Sequence, residues 1–424
     1  MRILCVTPMY APALGGAESH LQRMATGLVR RGHEVTVFTA DTRNSWELWQ
    51  GKAAGLPREE VLDGVRVRRL VPSGGTAGKL LDAWQRLPGG YRSGRLIFGE
   101  EGLELLVRKP RLAELVPQLL AAQAEIVVSF NWYWPPAYHV YLARKLKRFT
   151  LVGIPLFHLA KDWCYRNVYR RMLAACDAVV ANTEYEAAFA RQQAGVRAEV
   201  GGVGVDTDMF ARRDGRAIRE RHRLGEAPVV GFVGRQAANK GAGTLIRAMR
   251  LVWRTRPDVR LLLAGPRPPV ERELDPLMAS LEPAERERIV SIDHFADEEK
   301  ASIYDAMDIF VLPSTGESFG IAYLEAWMCE KAVIGARIGP TQCVIEEGQD
   351  GLLVSPKDPE DTARAILELL SDRVRRQSMG RRGHAKTLER HTWEKVNDRV
   401  ERLFRDLISG HTAPKAGYAT VGVR

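Results

Sequence analysis

"GFVGRQAANKG", Gly231 to Gly241, is a short apolar run that meets a glycine and then sets Arg235 and Lys240 five positions apart before helical patterning resumes. A strand that turns into a helix in this way presents backbone N–H groups and the positive end of the helix dipole, which together favour an anion. The same stretch decides the fold, because its strand opens a pattern that the first half of the chain has already run through once. "RILCVTPM", "EVTVFTA", "VRVRRLV", "IVVSF", "FTLVGIP" and "AVVAN" are apolar or β-branched runs, several followed by amphipathic stretches such as "AESHLQRMATGLVRRG". After "VGVDTDMF" come "VVGFVG", "VRLLLAG", "IVSI", "DIFVLPS", "AVIGA" and "GLLV", again interleaved with helical segments. Strands alternating with helices predict parallel sheets, so two doubly wound α/β domains are expected, with a boundary near Asp206.

Composition agrees with that division. The chain has 424 residues, 45% hydrophobic and 27% charged, which exceeds what one hydrophobic core usually organises. A formal net charge of +10 favours anionic partners without choosing among nucleotides, acidic membranes and nucleic acid. Cys5, Cys164, Cys176, Cys329 and Cys343 are scattered and form no CxxC pair, which argues against a disulfide framework or a zinc site and for a reducing cytoplasm. "MRILCVTPMY" reads as a buried strand rather than a signal sequence, and no run approaches the length of a membrane span.

"WEKVNDRVERLFRDLI" repeats apolar residues near helical spacing at Val396, Val400, Leu403, Phe404 and Ile408, and is expected to pack as a strap on the first domain. The tail from His411 is expected to be flexible. Between Asn44 and Lys109 the chain is basic and glycine-rich, with aromatics in "SWELWQG" and "DAWQRLPGGYRSGRLIFG" and no clear strand-helix rhythm. An acceptor-binding or membrane-facing excursion and a plain variable insertion are equally compatible with it.

Ligands of open parallel sheets bind beyond the carboxyl ends of the strands, and each candidate motif falls at such an end. Gly15 and Gly16, in "YAPALGGAESH", let backbone approach a ligand at a helix start, although a tight turn alone would look the same. Arg235 offers a planar fork and Lys240 a mobile point charge, a pairing able to hold a diphosphate and stabilise it as it departs, where the bland reading is two solvated surface cations. In "STGESFGIAYLEAWMCE", Glu317 precedes a helix and Glu325 lies eight residues on, about 12 Å along a helix. Two carboxylates on a solvated face would be the ordinary explanation, but Glu325 sits in the apolar stretch "IAYLEAWM" and an acid there needs a partner.

"GGAESHLQRMATGLVRRGHEVTVFT", "GFVGRQAANKGAGTLIRA", "PSTGESFGIAYLEAWMCEKAVIG" and "EEGQDGLLVSPKD" resemble successive segments of the family 4 glycosyltransferases, the retaining group 1 enzymes of GT-B fold. The resemblance runs from Met1 to about Ile408, weakly between Asn44 and Lys109, and its most specific element is the E-x7-E pair Glu317 and Glu325 together with Arg235 and Lys240. It implies two Rossmann-like domains facing a central cleft. The organisation would be an acceptor-binding domain over 1–205 with a variable basic insertion at 44–109, a nucleotide-sugar donor domain over 206–393, a helix at 394–410 crossing back to the first domain, and a tail at 411–424. Arg235 and Lys240 would hold the donor diphosphate. Glu317, with the N–H groups of Ser318, Phe319 and Gly320, would hold sugar hydroxyls, and Glu325 would accept from the ribose. Gly15 and Gly16 would approach the diphosphate, and His158, in "LFHLA", matches a family histidine near donor sugar and acceptor. A histidine beside apolar residues is as a rule a packed or surface residue, and His139, in a helical stretch, is the lesser candidate.

The resemblance further implies retention at the anomeric carbon with no metal and no other cofactor. The expected reaction moves a hexose-type sugar from a UDP- or GDP-sugar to a hydroxyl of a glycan, lipid-linked or small-molecule acceptor. Cell-envelope or exopolysaccharide biosynthesis in the cytoplasm would be served, with a peripheral place at an anionic inner membrane surface as a further expectation and no nucleic-acid partner. "DTD", Asp206 to Asp208, looks like a metal-binding motif of another glycosyltransferase fold but occupies the family's "GVD" segment. The chain departs from the family at Val203, Glu330, Pro340 and Cys343, and the last two leave the donor unsettled. Two other classes compete. A nucleotide-sugar epimerase of GT-B architecture leaves the E-x7-E pair unexplained, and a non-catalytic nucleotide-binding relative leaves both glutamates and the histidine without a role.

Overall fold

The computed structural model describes residues 1–13, 15–72, 110–159, 162–267 and 274–410. The chain divides into two compact units, the first built from Met1–Gly202 together with the segment from Val396 onward, the second from Val203–Lys395. Each has its own sheet and hydrophobic core.

The second unit is the simpler. Its strands β9 (Val229–Val233), β10 (Arg260–Ala264), β11 (Ile289–Ile292), β12 (Ile309–Leu312), β13 (Ala332–Ala336) and β14 (Gly351–Val354) form one all-parallel sheet in the order β11-β10-β9-β12-β13-β14. Numbered within the unit this is 3-2-1-4-5-6, the doubly wound order, which reverses direction between β9 and β12. Every residue of β9, β12, β13 and β14 is buried, as expected of strands covered on both faces, and that is why they read as unbroken apolar runs.

In the first unit, β1 (Arg2–Val6), β2 (Glu34–Ala40), β3 (Glu59–Leu62), β4 (Val65–Leu70), β5 (Ile126–Phe130), β6 (Thr150–Ile154), β7 (Ala178–Ala181) and β8 (Ala198–Val200) lie in the order β3-β4-β2-β1-β5-β6-β7-β8. All neighbours are parallel except β3 and β4. Here the order reverses between β1 and β5.

Part of the stretch read as a rhythmless insertion is regular. Asn44 caps a helix over Ser45–Gln50 by accepting from the Glu47 N–H at 2.9 Å, and β4 pairs along its length with β2. β3 joins β4 through a two-residue turn, Asp63 at φ 50 and Gly64 at φ 81, the left-handed pair that a tight hairpin requires. Its exposed, acidic residues hid it, since an edge strand with no buried face shows no apolar alternation. Residues 73–109 of that stretch, and the tail 411–424, lie outside the described residues.

The helix Trp393–Ser409 buries Val396, Val400, Leu403 and Phe404, and from Val396 it belongs to the first unit. Arg31 donates to Asp398 at 2.6 Å and to Glu401 at 3.1 Å, and His33 Nε2 lies 3.1 Å from Glu401. Burial would raise the Glu401 carboxyl, but hydrogen bonds from Arg405, Arg31 and His33 outweigh it and hold it down at about 2.

Candidate active site

The reversal of strand order between β9 and β12 opens a crevice at their carboxyl ends, and two loops fill its rim. After β9, Gly234 and the Gly265 that follows β10 come so close that a Cβ on Gly265 would collide with the Gly234 carbonyl. Buried Gln236 bolts the turn down, its backbone N–H donating to Pro266 at 2.9 Å and its side-chain amide to Gly265 at 2.9 Å. Arg235 is left on the exposed side, and among the described residues it makes no ion pair. A single 3-10 turn, Ala238–Lys240, leads to Gly241 at φ 81 and then to the helix Ala242–Val252. Only glycine suits that position, because the conformation is left-handed and a Cβ would strike the carbonyl oxygen of Pro313 in the facing loop.

The facing loop follows β12. Its Thr315 N–H donates to the Asn239 carbonyl at 2.9 Å, and Lys240 Nζ donates to Glu317 Oε1 at 2.6 Å. Glu317 is 8% exposed, so its charge is tolerated because Lys240 is there. Gly320, at φ 91, caps the helix Ile321–Met328, whose first N–H groups lie just beyond Glu317 and lack intrahelical acceptors. A mobile cation, a held carboxylate, an exposed guanidinium and a helix start thus share one crevice, a set suited to an anion joined to a hydroxylated group.

Glu317 precedes the helix that carries Glu325, as the sequence indicates. The helix begins at Ile321, so Glu317 lies outside it and the two are not separated by eight helical rises. Glu325 is buried and accepts from Tyr304 Oη at 2.7 Å and from Lys300 Nζ at 3.3 Å. Burial, with the adjoining carboxylate, pushes the Tyr304 hydroxyl far up, so it remains a donor. These are the partners that an acid in an apolar helix needs, and no sequence signal marked them because they come from another helix, Lys300–Asp305. A carboxylate has about four acceptor sites, so two donors leave capacity for a ligand.

Gly15, Gly16 and His158 belong to the first unit. Gly16 opens the helix Gly16–Arg30, and a Cβ there would meet open space, whereas one on Gly15 would collide with the carboxylate of Glu18. Glu18 is buried, its carboxyl is raised by burial, and its carboxylate lies beside Gly15. His158 is exposed beyond β6, two residues after Leu156 at φ 53, and its carbonyl accepts from the Cys164 thiol at 3.5 Å. His139 is buried in the helix Pro136–Leu146 with Nδ1 3.0 Å from the Pro135 carbonyl, and burial lowers its pKa, so it packs as a neutral ring. Asp206 caps the helix Thr207–Ala211, accepting from the Met209 N–H at 3.4 Å. Among the described residues no three of His, Cys, Asp and Glu converge as metal ligands, and no helix is long and apolar enough to cross a membrane.

Comparison with known proteins identifies the family. Residues 227–372 match the model of glycosyl transferases group 1, and residues 15–201 that of the glycosyl transferase 4-like domain. The D-inositol 3-phosphate glycosyltransferase of Segniliparus rotundus is 32% identical over 419 residues, 93% of this chain and 85% of that protein. This chain is a family 4, group 1 glycosyltransferase. Among solved structures, the glycosyltransferase resembles sucrose-phosphate synthase from Thermosynechococcus elongatus, with a TM-score of 0.74 at 20% identity over 96% of this chain and 99% of that one. It also resembles Anabaena HepE, solved in complex with UDP and glucose, with a TM-score of 0.71 at 20% identity over 96% and 100% of the chains. The architecture of the glycosyltransferase is GT-B. The ion pair between Lys240 and Glu317 and the buried Glu325 all lie within its matched group 1 segment.

Proposed function

We propose that this glycosyltransferase moves a hexose-type sugar from a UDP- or GDP-sugar to a hydroxyl of a glycan, lipid-linked or small-molecule acceptor, with retention and without a metal. The observation that carries the reading is the 2.6 Å pair of Lys240 and Glu317 at the carboxyl ends of β9 and β12, with Arg235 on the same turn. In the proposal the donor inserts at this pair. Its diphosphate takes Lys240 and Arg235 as counter-ions, and the sugar gives Glu317 hydroxyl donors in place of the ammonium.

As the sugar–phosphate bond breaks, negative charge grows on the departing diphosphate. Lys240 and Arg235 stabilise it, the electrostatic task that a metal performs elsewhere, while the N–H groups of Ser318, Phe319 and Gly320 hold sugar hydroxyls together with Glu317. The departing phosphate helps take the proton of the acceptor hydroxyl on the same face, so no separate base is needed. Glu325 binds the ribose with the acceptor capacity that Lys300 and Tyr304 leave, and His158, Gly15 and Gly16 keep the roles that the family resemblance gives them.

UDP is favoured as the nucleotide because the HepE structures hold UDP and UDP-glucose. Curated relatives named D-inositol 3-phosphate glycosyltransferase make a phosphorylated polyol the first small-molecule acceptor to try, ahead of the cell-envelope glycans. The reaction is proposed for the cytoplasm, on soluble acceptors or at an anionic inner membrane surface.

The test is a panel of UDP- and GDP-sugars followed by NMR with and without a chelator. Slow release of UDP or GDP and of a sugar with the donor's anomeric configuration, unchanged by chelator, is the expected result. Release of the opposite anomer, or loss of turnover on chelation, overturns retention or metal independence respectively.

A further inference from the structure

Only two tryptophans among the described residues are strongly exposed, Trp46 at 68% and Trp49 at 56%, and both lie on the six-residue helix that follows β2. Three apart, they share one face of that helix. A second aromatic group meets them from the loop after β5, "NWYW", Asn131 to Trp134. Trp49 and Trp134 have ring centroids 6.1 Å apart at 72°, and Tyr133 and Trp134 5.4 Å apart at 89°. Trp134 is 9% exposed and Tyr133 40%, so two accessible rings stand steeply on a largely buried third. The result is a corner of aromatic faces rather than a flat patch.

The supports are stiff. Asn131 holds φ 55, a left-handed conformation uncommon for a residue with a side chain, immediately beyond β5. Trp132 fastens the loop from below, fully buried, with its indole N–H donating to the Ser129 carbonyl at 3.0 Å. Its ring fills the space over Gly153, where a Cβ would stand 2.7 Å from the indole. On the other side Asn44 caps the short helix and Gly51, at φ 67, ends it. Strain and close packing are thus spent on presenting aromatic rings to solvent. β5 flanks the reversal of strand order in the first sheet and β2 is one strand beyond β1, so the corner stands where a doubly wound sheet receives its ligand.

We propose that Trp46, Trp49 and Tyr133, backed by Trp134, form a stacking platform for a sugar or cyclitol ring of the acceptor. A pyranose or cyclitol presents apolar C–H faces and hydroxyl edges, which match rings that are apolar across their face and wet at their polar tip. A bilayer is the other surface that exposed tryptophans meet. Within the helix the one charged residue is Glu47, and Arg43 and Lys52 lie outside its ends, so the helix itself carries no basic face of the kind an anionic membrane selects. The inference rests on the transferase reading above for the word acceptor, while ring stacking itself stands apart from it.

The experiment is saturation-transfer NMR on the full chain with saturating UDP, using methyl α-D-glucopyranoside, methyl α-D-mannopyranoside and myo-inositol as probes. Trp49→Ala and Tyr133→Ala are compared with the native protein, and Trp46→Ala serves as a second, more exposed site. UDP and GDP affinities are measured in parallel by calorimetry. We expect saturation of ring C–H protons from at least one probe in the native protein, reduced roughly fivefold or more in Trp49→Ala, with UDP affinity unchanged. Equal saturation in native and variant, or none in the native protein while UDP binds, overturns the platform. So does a blue shift of tryptophan emission with phosphatidylglycerol vesicles in the absence of any probe signal, which would assign the rings to a membrane. Failure of both UDP and GDP to bind counts against the transferase reading alone, and probe saturation lost in Trp49→Ala would still uphold the platform.

Discussion

Lys240 and Glu317, 77 residues apart in the chain, meet at 2.6 Å across the point where the second sheet reverses its strand order. Neither the turn nor the helix start would by itself hold the other's charge, so the pair joins two strand-end loops into one site. Glu317→Gln keeps the shape and removes the charge. We expect an unchanged fold by circular dichroism and a transfer rate lower by roughly 100-fold, on the scale of a lost transition-state contact. A rate within a few-fold of native would remove Glu317 from the sugar site.

Lys240→Ala should weaken UDP or GDP binding in calorimetric titration by roughly tenfold or more, the order of a charge-assisted contact. It also strands the buried Glu317 carboxylate, so the double variant Lys240→Ala/Glu317→Gln should recover part of the stability that the single variant loses. Additive losses in thermal melts would show that the two side chains are not coupled.

Gly241→Ala should be costly out of proportion to one methyl group. The left-handed backbone alone costs about 1–2 kcal/mol for a residue with a Cβ, and the collision with the Pro313 carbonyl adds to it. A lowered melting temperature together with weaker nucleotide binding is expected, since the two loops can no longer close on each other.

Tyr304→Phe removes one buried hydrogen bond to the Glu325 carboxylate and should cost about 1.5–3 kcal/mol in denaturant unfolding. Unchanged stability would mean that Lys300 alone satisfies Glu325.

Acid should loosen the first unit in a defined window. Burial lowers His20, packed edge-on against Phe130 at 5.5 Å, from 6.5 to about 4. Below 6.5 the unfolded chain takes up a proton that the native ring refuses, so stability falls as pH drops from 6.5 toward about 4 and the effect is complete below that. The carboxyl of Glu401, held at about 2 against a usual 4.5, adds a loss in the lower window as pH falls from 4.5 toward 2. Melting curves at intervals between pH 7 and 4 should show His20→Leu flatter than native in the upper window. Parallel curves for the two proteins would refute the assignment.

Much of this was legible. Every parallel strand of the second unit appears as an apolar run, and in β9, β12, β13 and β14 burial on both faces leaves no polar alternation to confuse the pattern. β3 and β8 escaped notice, one an exposed hairpin edge and the other three residues long, although the Asp63–Gly64 dipeptide was a hairpin signal in plain view. Among the site residues, Arg235, Lys240 and Glu317 were marked by charge beside glycine at strand ends. Lys300 and Tyr304, the partners of Glu325, were not, since a contact between helices leaves no local trace.

From residue order alone come the two doubly wound units, the strand-end positions of Arg235, Lys240 and Glu317, and the resemblance to glycosyltransferases, because periodicity and glycine placement are local and each is written within a few turns of chain. Only the tertiary structure decided that Lys240 already holds Glu317, that the Glu18 carboxylate lies beside Gly15, and that Trp49 and Tyr133 share a corner with Trp134. Those relations join residues far apart in sequence, and a side chain acquires its partner only when packing brings two distant backbones together.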